Sequence, residues 1–195
     1  MSIYIDFLSG KLAYRAKHAG RRNELLAKAI NISPRENPVI IDATAGLGRD
    51  SFILATLGYH VTMLERSEIL YQALTEAFAR AKTDPDIAPI IERMTLIHTD
   101  AKDWLAANQT QPAVIYLDPM FPERKKSAAI KKDMLELQQL LGEDDDSSEL
   151  FAVAMDCAQR RVVVKRPRLA ENITTLEPDY TLNGKSSRFD VYLAK

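Results

Sequence analysis

The chain has 195 residues, 46% of them hydrophobic, a net charge of −1 and a single cysteine, Cys157. That length suits one α/β domain, that apolar content excludes wholesale disorder, and one cysteine excludes an internal disulfide framework. No run of about 18 apolar residues offers a membrane span, and the N-terminus lacks the basic-then-apolar pattern of a signal peptide, so a cytoplasmic protein is expected.

Residues 1–37 read as an appendage: a short strand in IYIDF, a basic loop, and a helix near Arg22 to Ile30. Residues 38–195 read as the main domain. Pro38 to Thr44 predicts a strand, Arg49 to Leu57 a helix closed by Gly58, and His60 to Glu65 a second strand. Ser67 to Lys82 predicts a helix with Ser67 as its N-cap, followed by a strand over Met94 to Thr99 and a short helix over Ala101 to Ala107. Ala113 to Leu117 predicts a fourth strand, Ala128 to Leu141 and Ser148 to Ala158 two helices, and Arg161 to Lys165 a fifth strand. The acidic stretch GEDDDSSE (142–149) reads as a loop, and the tail carries two β-like runs around Asn183-Gly184. Strands apolar on consecutive positions are buried on both faces, as in parallel sheets. The expected fold is therefore α/β: a Rossmann-like, doubly wound, mostly parallel sheet with a C-terminal antiparallel hairpin.

Three basic clusters stand out: Lys11, Arg15, Lys17, Arg21 and Arg22; Arg124, Lys125, Lys126, Lys131 and Lys132; Arg160, Arg161, Lys165, Arg166 and Arg168. Each alone is compatible with solvated surface. Convergence on one face would suit a polyanion.

IIDATAGLGRD (40–50) joins the first strand to the first helix of the main domain. Gly46 and Gly48 let the backbone turn sharply and approach a ligand. Glu65 ends the second strand, at the distance where an acidic residue binds ribose hydroxyls in nucleotide folds. A dinucleotide site wants a third glycine where this chain has Ser51, and Asp42 and Asp50 would repel a pyrophosphate. Two carboxylates suit a cation instead, such as the sulfonium and amino groups of S-adenosylmethionine. Asp42 can equally brace the loop through its own backbone amides. Asp100 closes the third strand, where it can bind an adenine together with the Ala101 backbone, cap the following helix, or do both.

Asp118-Pro119-Met120-Phe121 ends the fourth strand in VIYLDPMFPERKK, a variant of the (Asn/Asp)-Pro-Pro-(Tyr/Phe) turn of amino-group methyltransferases. An exocyclic amine on a nucleobase is a poor nucleophile because its lone pair is delocalised into the ring. Asp118 and the Pro119 carbonyl can accept its two N–H groups and let the nitrogen pyramidalise, while Phe121 offers a face for an extruded base. Met120 replaces the usual second proline. Lys125 and Lys126, with Lys165 and Arg166 after the fifth strand, are expected to bind phosphates around that turn. No His/Cys cluster has metal-ligand spacing, so no metal is expected.

IDATAGLGRDSF, MLERS, LIHTDA, VIYLDPMFPERKKSA, RVVVKRP and RFDVYLA resemble the J-type bacterial ribosomal RNA small-subunit methyltransferase family, and the likeness extends to YIDFLSGKLAYR near the start. The resemblance implies a class I S-adenosylmethionine-dependent methyltransferase fold and methylation of a guanosine N2 in 16S rRNA. It also implies 16S rRNA or the small ribosomal subunit as partner. It implies cofactor contacts at Arg49, Asp50, Glu65, Arg66, Asp100, Ala101 and Asp118. Members of that family carry a further stretch ahead of the part matching Tyr4; its lack here is expected to affect RNA affinity and not the cofactor site. Two rivals stay open: an amino methyltransferase of DNA or another RNA acting at adenine N6, and a non-catalytic nucleotide-binding or NAD-dependent protein.

Overall fold

Four short runs of consecutive apolar residues become the parallel centre of a sheet. The computed structural model describes residues 3–107, 111–119 and 146–194. Among these, β1 (Ile40–Asp42), β2 (Val61–Glu65), β3 (Met94–His98), β4 (Val114–Leu117) and β5 (Arg161–Pro167) pair in parallel. β6 (Tyr180–Asn183) and β7 (Ser187–Leu193) form a hairpin added antiparallel to β5. Its turn is closed by the Gly184 amide donating to the Ser187 carbonyl at 2.8 Å, where Asn183-Gly184 predicts it. The strand order is β3-β2-β1-β4-β5-β7-β6, as the doubly wound expectation requires. The chain reverses its direction of travel between β1 and β4, and a ligand crevice opens at such a point, beyond the carboxyl ends of the strands.

The α-helices among the described residues are α1 (Gly10–His18), α2 (Leu25–Ile30), α3 (Arg49–Thr56), α4 (Glu68–Ala81), α5 (Ala88–Ile91), α6 (Ala101–Ala107) and α7 (Ser147–Cys157). Alternation along each strand sends neighbouring side chains to opposite faces. Ile40, Val61, Met63, Val114 and Tyr116 join a core with Phe52 and Leu54 of α3 and Leu74 and Phe78 of α4. Ile41, Leu64, Ile115, Leu117 and Val164 meet Leu105 of α6 and Phe151 and Ala154 of α7 on the other side. Ser67 caps α4, its hydroxyl accepting the Leu70 amide.

The N-terminal segment departs from expectation twice. IYIDF is not a strand; its backbone lies outside the sheet, and its side chains anchor it instead. Ile5 and Phe7 are buried, Phe7 stacks on Phe52 with ring centroids 4.9 Å apart, and Arg80 donates to the Ile5 carbonyl at 2.9 Å. The basic stretch is not a loop but α1, whose Leu12 and Ala16, with Ala19 after it, pack on the core while Lys11, Tyr14, Lys17 and His18 face outward. Its cations gather in the last turn, where they suit the negative end of the helix dipole. The acidic stretch is also corrected in part: Ser147 to Glu149 open α7. The helix expected over 128–141 lies outside the described residues. No described helix is long and apolar enough to cross a membrane.

Candidate active site

A cleft of about 640 Å³ opens at the carboxyl ends of β1, β2, β3 and β4. That size lies within the range of small-molecule sites. Parallel strands that end together deliver their terminal residues to one edge, so Asp42, Glu65, Asp100 and Asp118 all line it.

The loop between β1 and α3 forms one wall. Asp42 is buried beneath it and braces it, accepting the Thr44 amide at 3.2 Å and the Ser51 hydroxyl at 2.5 Å. Burial pushes the Asp42 carboxyl up to about 7 against those two bonds, with Asp50 and Asp118 adding to the rise. Ser51 thus holds the loop where a dinucleotide fold would place a glycine. Gly46 has φ +54° and lines the cleft; a Cβ there would meet only the Thr44 carbonyl, at 3.8 Å. Gly48 serves packing instead. At φ +68°, a Cβ would lie 2.9 Å from Leu74 Cδ2 and 3.1 Å from Met63 Cε, and the residue does not line the cleft. The expectation of ligand approach at both glycines therefore narrows to Gly46. Glu65 ties this wall to β2: one carboxylate oxygen accepts the Gly46 amide and the other the Ser67 amide, each at 2.8 Å.

Past β2 and β3 the wall carries Arg66, Asp100, Ala101 and Lys102. Asp100 accepts the Lys102 amide at 2.8 Å, so it caps α6 while lining the cleft. Leu64, Leu70 and Leu150 add apolar surface. Asp146, ahead of α7, closes this side through Arg66 at 3.0 Å and Lys102 at 2.8 Å. Those cations hold the Asp146 carboxyl below its ordinary range, the Lys102 bond contributing most.

The other half of the cleft is built on charge. Asp118 follows β4, and its amide donates to Thr44 Oγ1 at 2.6 Å, tying the Asp-Pro turn to the glycine loop. Lys165, projecting from β5, places its ammonium 2.7 Å from both Asp118 Oδ2 and Asp50 Oδ2. Asp50 also accepts the Tyr116 hydroxyl at 2.8 Å and pairs with Arg15 at 3.1 Å. Burial works against ionisation of Asp50, but Lys165, Tyr116 and Arg15 prevail and hold it below the usual range. At Asp118 burial wins: the carboxyl sits above its usual range, with Lys165 opposing and Asp50 adding to the rise. Burial also disfavours the Lys165 charge, yet the two carboxylates outweigh it and hold the ammonium above the ordinary lysine range.

Asp42, Gly46, Arg49, Asp50, Glu65, Arg66, Asp100, Ala101, Asp118 and Pro119 all reach the cleft. Lys165 reaches it as well, as the shared counter-ion of two carboxylates and not on an outer phosphate rim. Arg166 does not: it is buried and donates to the Glu171 carbonyl at 2.9 Å, because side chains alternate along β5. Phe121, Lys125 and Lys126 lie outside the described residues. Arg15, Thr44, Tyr116 and Asp146 also line the cleft, beyond the residues expected from the sequence. Thr44 carried a signal, as a hydroxyl beside the glycines; the others are set by tertiary packing.

The SAM-dependent methyltransferase family model matches residues 1–194. The chain is 47% identical over 193 residues to a ribosomal RNA small subunit methyltransferase J of Thioalkalivibrio sulfidiphilus, covering 98% of this chain and 76% of that protein. It is also 47% identical, over 198 residues, to one of Chromobacterium violaceum, covering 100% of this chain and 77% of the relative. A SAM-dependent methyltransferase structure from Neisseria gonorrhoeae superposes with a TM-score of 0.78 at 38% identity, covering 98% of this chain and 74% of that one. An RNA methyltransferase from Salinibacter ruber, in complex with S-adenosyl-L-homocysteine, superposes with a TM-score of 0.57 at 13% identity, covering 95% of this chain and 92% of that one. At that identity the likeness bears on the fold alone.

Proposed function

The chain belongs to the ribosomal RNA small subunit methyltransferase J family, and from that premise we propose that it methylates the exocyclic N2 of a guanosine in 16S rRNA. S-adenosylmethionine supplies, when bound, an electrophilic methyl group on a sulfonium. The cleft suits it: Gly46 leaves open space above the backbone, and Leu64, Leu70 and Leu150 give the lining apolar surface for a purine face. Glu65 and Asp100, each fixed by backbone amides, turn acceptor oxygens towards the cleft that suit hydroxyl and amino groups better than a pyrophosphate. Glu65 would hold the ribose hydroxyls and Asp100 with the Ala101 backbone the adenine, with Arg49 and Arg66 beside them in the lining and Asp50 on the side of the reacting methyl group.

One observation carries the reading: the Asp-Pro turn and the glycine loop open onto the same cleft and are tied by the Asp118–Thr44 bond at 2.6 Å. Asp118 and the Pro119 carbonyl accept the two N–H groups of the target amine. Holding both concentrates electron density on nitrogen and aligns it with the methyl group, which is most of what this transfer needs. Once methylated, the nitrogen carries an extra proton, and the Asp118 carboxylate is placed to take it. Asp50 and Lys165 keep Asp118 oriented. An rRNA substrate makes the cytoplasm the working compartment.

The test is methylation of small ribosomal subunits, and of naked 16S rRNA, from cells lacking this protein, with mapping of the labelled base. N2-methylguanosine is expected, and Asp118→Ala should cut kcat by about 100-fold or more while S-adenosylhomocysteine still raises the melting temperature. Label at adenine N6, label on DNA alone, or no transfer would each refute the assignment.

A further inference from the structure

The first basic cluster has no part in the chemistry above, except for Arg15. On α1, Lys11, Tyr14, Arg15 and His18 fall at helical spacing on one side. Arg15 reaches from that side to Asp50 in the cleft, so this face begins at the cleft wall. Tyr14 is 69% exposed. Its ring lies against the His18 imidazole, centroids 4.2 Å apart, and His18 Nδ1 is 2.8 Å from the Tyr14 carbonyl. The core does not need this ring, because Leu12, Ala16 and Ala19 already anchor the helix on its inner side. Lys11, Lys17 and Arg22 are exposed and form no ion pair among the described residues, whereas Arg21 is turned inward to the Ile32 carbonyl.

A large, oriented aromatic surface with unpaired cations on either side is what a single-stranded polyanion with flat bases requires. We propose that the outer face of α1 docks the RNA strand flanking the target nucleotide, with Tyr14 and His18 stacking a neighbouring base and Lys11, Lys17 and Arg22 contacting its phosphates. A second copy of the chain is a poorer occupant, because a two-fold contact would set these cations against themselves. The proposal rests on the methyltransferase reading and names where its substrate lies outside the cleft.

The test is binding of a labelled single-stranded fragment of 16S rRNA containing the target, by fluorescence anisotropy across a potassium chloride series. Tyr14→Ala should weaken binding about 5- to 100-fold, the range for a lost base–aromatic stack, and Tyr14→Phe should restore it. Lys11→Ala with Lys17→Ala should lower the log–log salt slope by about 1.4. Both variants lie on the surface, so melting temperatures and S-adenosylhomocysteine affinity should stay unchanged. Wild-type affinity and slope in both variants would overturn the proposal. So would a wild-type dimer that Tyr14→Ala dissociates without changing RNA affinity. A wild-type protein that methylates no RNA would instead overturn the methyltransferase reading itself, a separate outcome.

Discussion

Replacing Lys165 by Met tests how the acceptor carboxylate is kept ready. The ammonium lies 2.7 Å from Asp118 and 2.7 Å from Asp50. Methionine keeps the stem and removes the charge. The sign follows from the causes at Asp118: burial and Asp50 raise its pKa, and Lys165 is the group opposing them. Without Lys165, Asp118 holds its proton to higher pH and loses the form that accepts the amine. A neighbouring opposite charge is worth about 1–3 pH units to a carboxyl, and Asp118 is partly open to solvent, so the acid limb of kcat/KM should move up by about 1–2 units. The other groups facing this centre are Asp42, Tyr116 and Arg15, and they remain in place. Stability should fall less than for a buried pair cut cleanly in two, because Arg15 and Tyr116 still hold Asp50. A loss of about 2 kcal/mol, or roughly 4–8 °C in melting temperature, is expected. Lys165→Arg should keep the acid limb near its wild-type position. A folded Met variant whose acid limb stays put would refute the reasoning.

Glu65→Ala removes acceptors from the Gly46 and Ser67 amides as well as from the ligand; the S-adenosylmethionine Kd by calorimetry should rise about 10- to 100-fold. Thr44→Val deletes the acceptor of the Asp118 amide; kcat should fall while the cofactor Kd changes less than twofold, and equal changes in both would show that the bond serves the loop alone. Asp42→Asn probes pH. A carboxyl raised to about 7 in the fold costs stability as pH climbs from the unfolded value towards 7, so wild-type stability should decline relative to the asparagine variant across that window, by a few kcal/mol at most. Denaturant titrations at pH 5 and pH 8 measure it, and parallel behaviour of the two proteins would show that Asp42 stays ionised.

The sheet was legible because its central strands are apolar on consecutive positions, and only burial on both faces explains that in segments so short. Asn183-Gly184 marked the hairpin for a local reason, and Ser67 its helix for another. α1 was hidden because its inward residues are few and small: Leu12 and Ala16, with Ala19 just after it, make a narrow apolar stripe that reads as noise among Lys11, Arg15 and Lys17. The candidate site divides in the same way. Carboxylates at strand ends could be found from sequence, since parallel strands finish on one edge. Their partners could not: Arg15 and Lys165 lie 35 and 115 residues from Asp50, and nothing local says which cation crosses the sheet. Arg166 shows the cost of reading a basic run without the pleat, because one step along β5 turns a cleft residue into a buried one.

The way each acid is held separates the two halves of the cleft. Glu65 and Asp100 are fixed chiefly by backbone amides, Glu65 by Gly46 in the loop before α3 and by Ser67 ahead of α4, and Asp100 by Lys102 in the first turn of α6, with Arg66 farther off at 3.9 Å. Amides cannot leave, so these carboxylates are rigid, which suits recognition of a cofactor whose hydroxyls and ring must find one pose. Asp50 and Asp118 are held by the side chains of Arg15 and Lys165. Side-chain cations can swing, so Asp118 can exchange an ammonium for the N–H donors of an entering amine while Asp50 retains the displaced charge. A carboxylate held by amides alone could offer no such exchange, and one with no counter-ion would take up a proton more readily at this half-buried position beside Asp50 and cease to accept. The fixed acids therefore belong on the cofactor side and the exchangeable one at the Asp-Pro turn, where this chain places them.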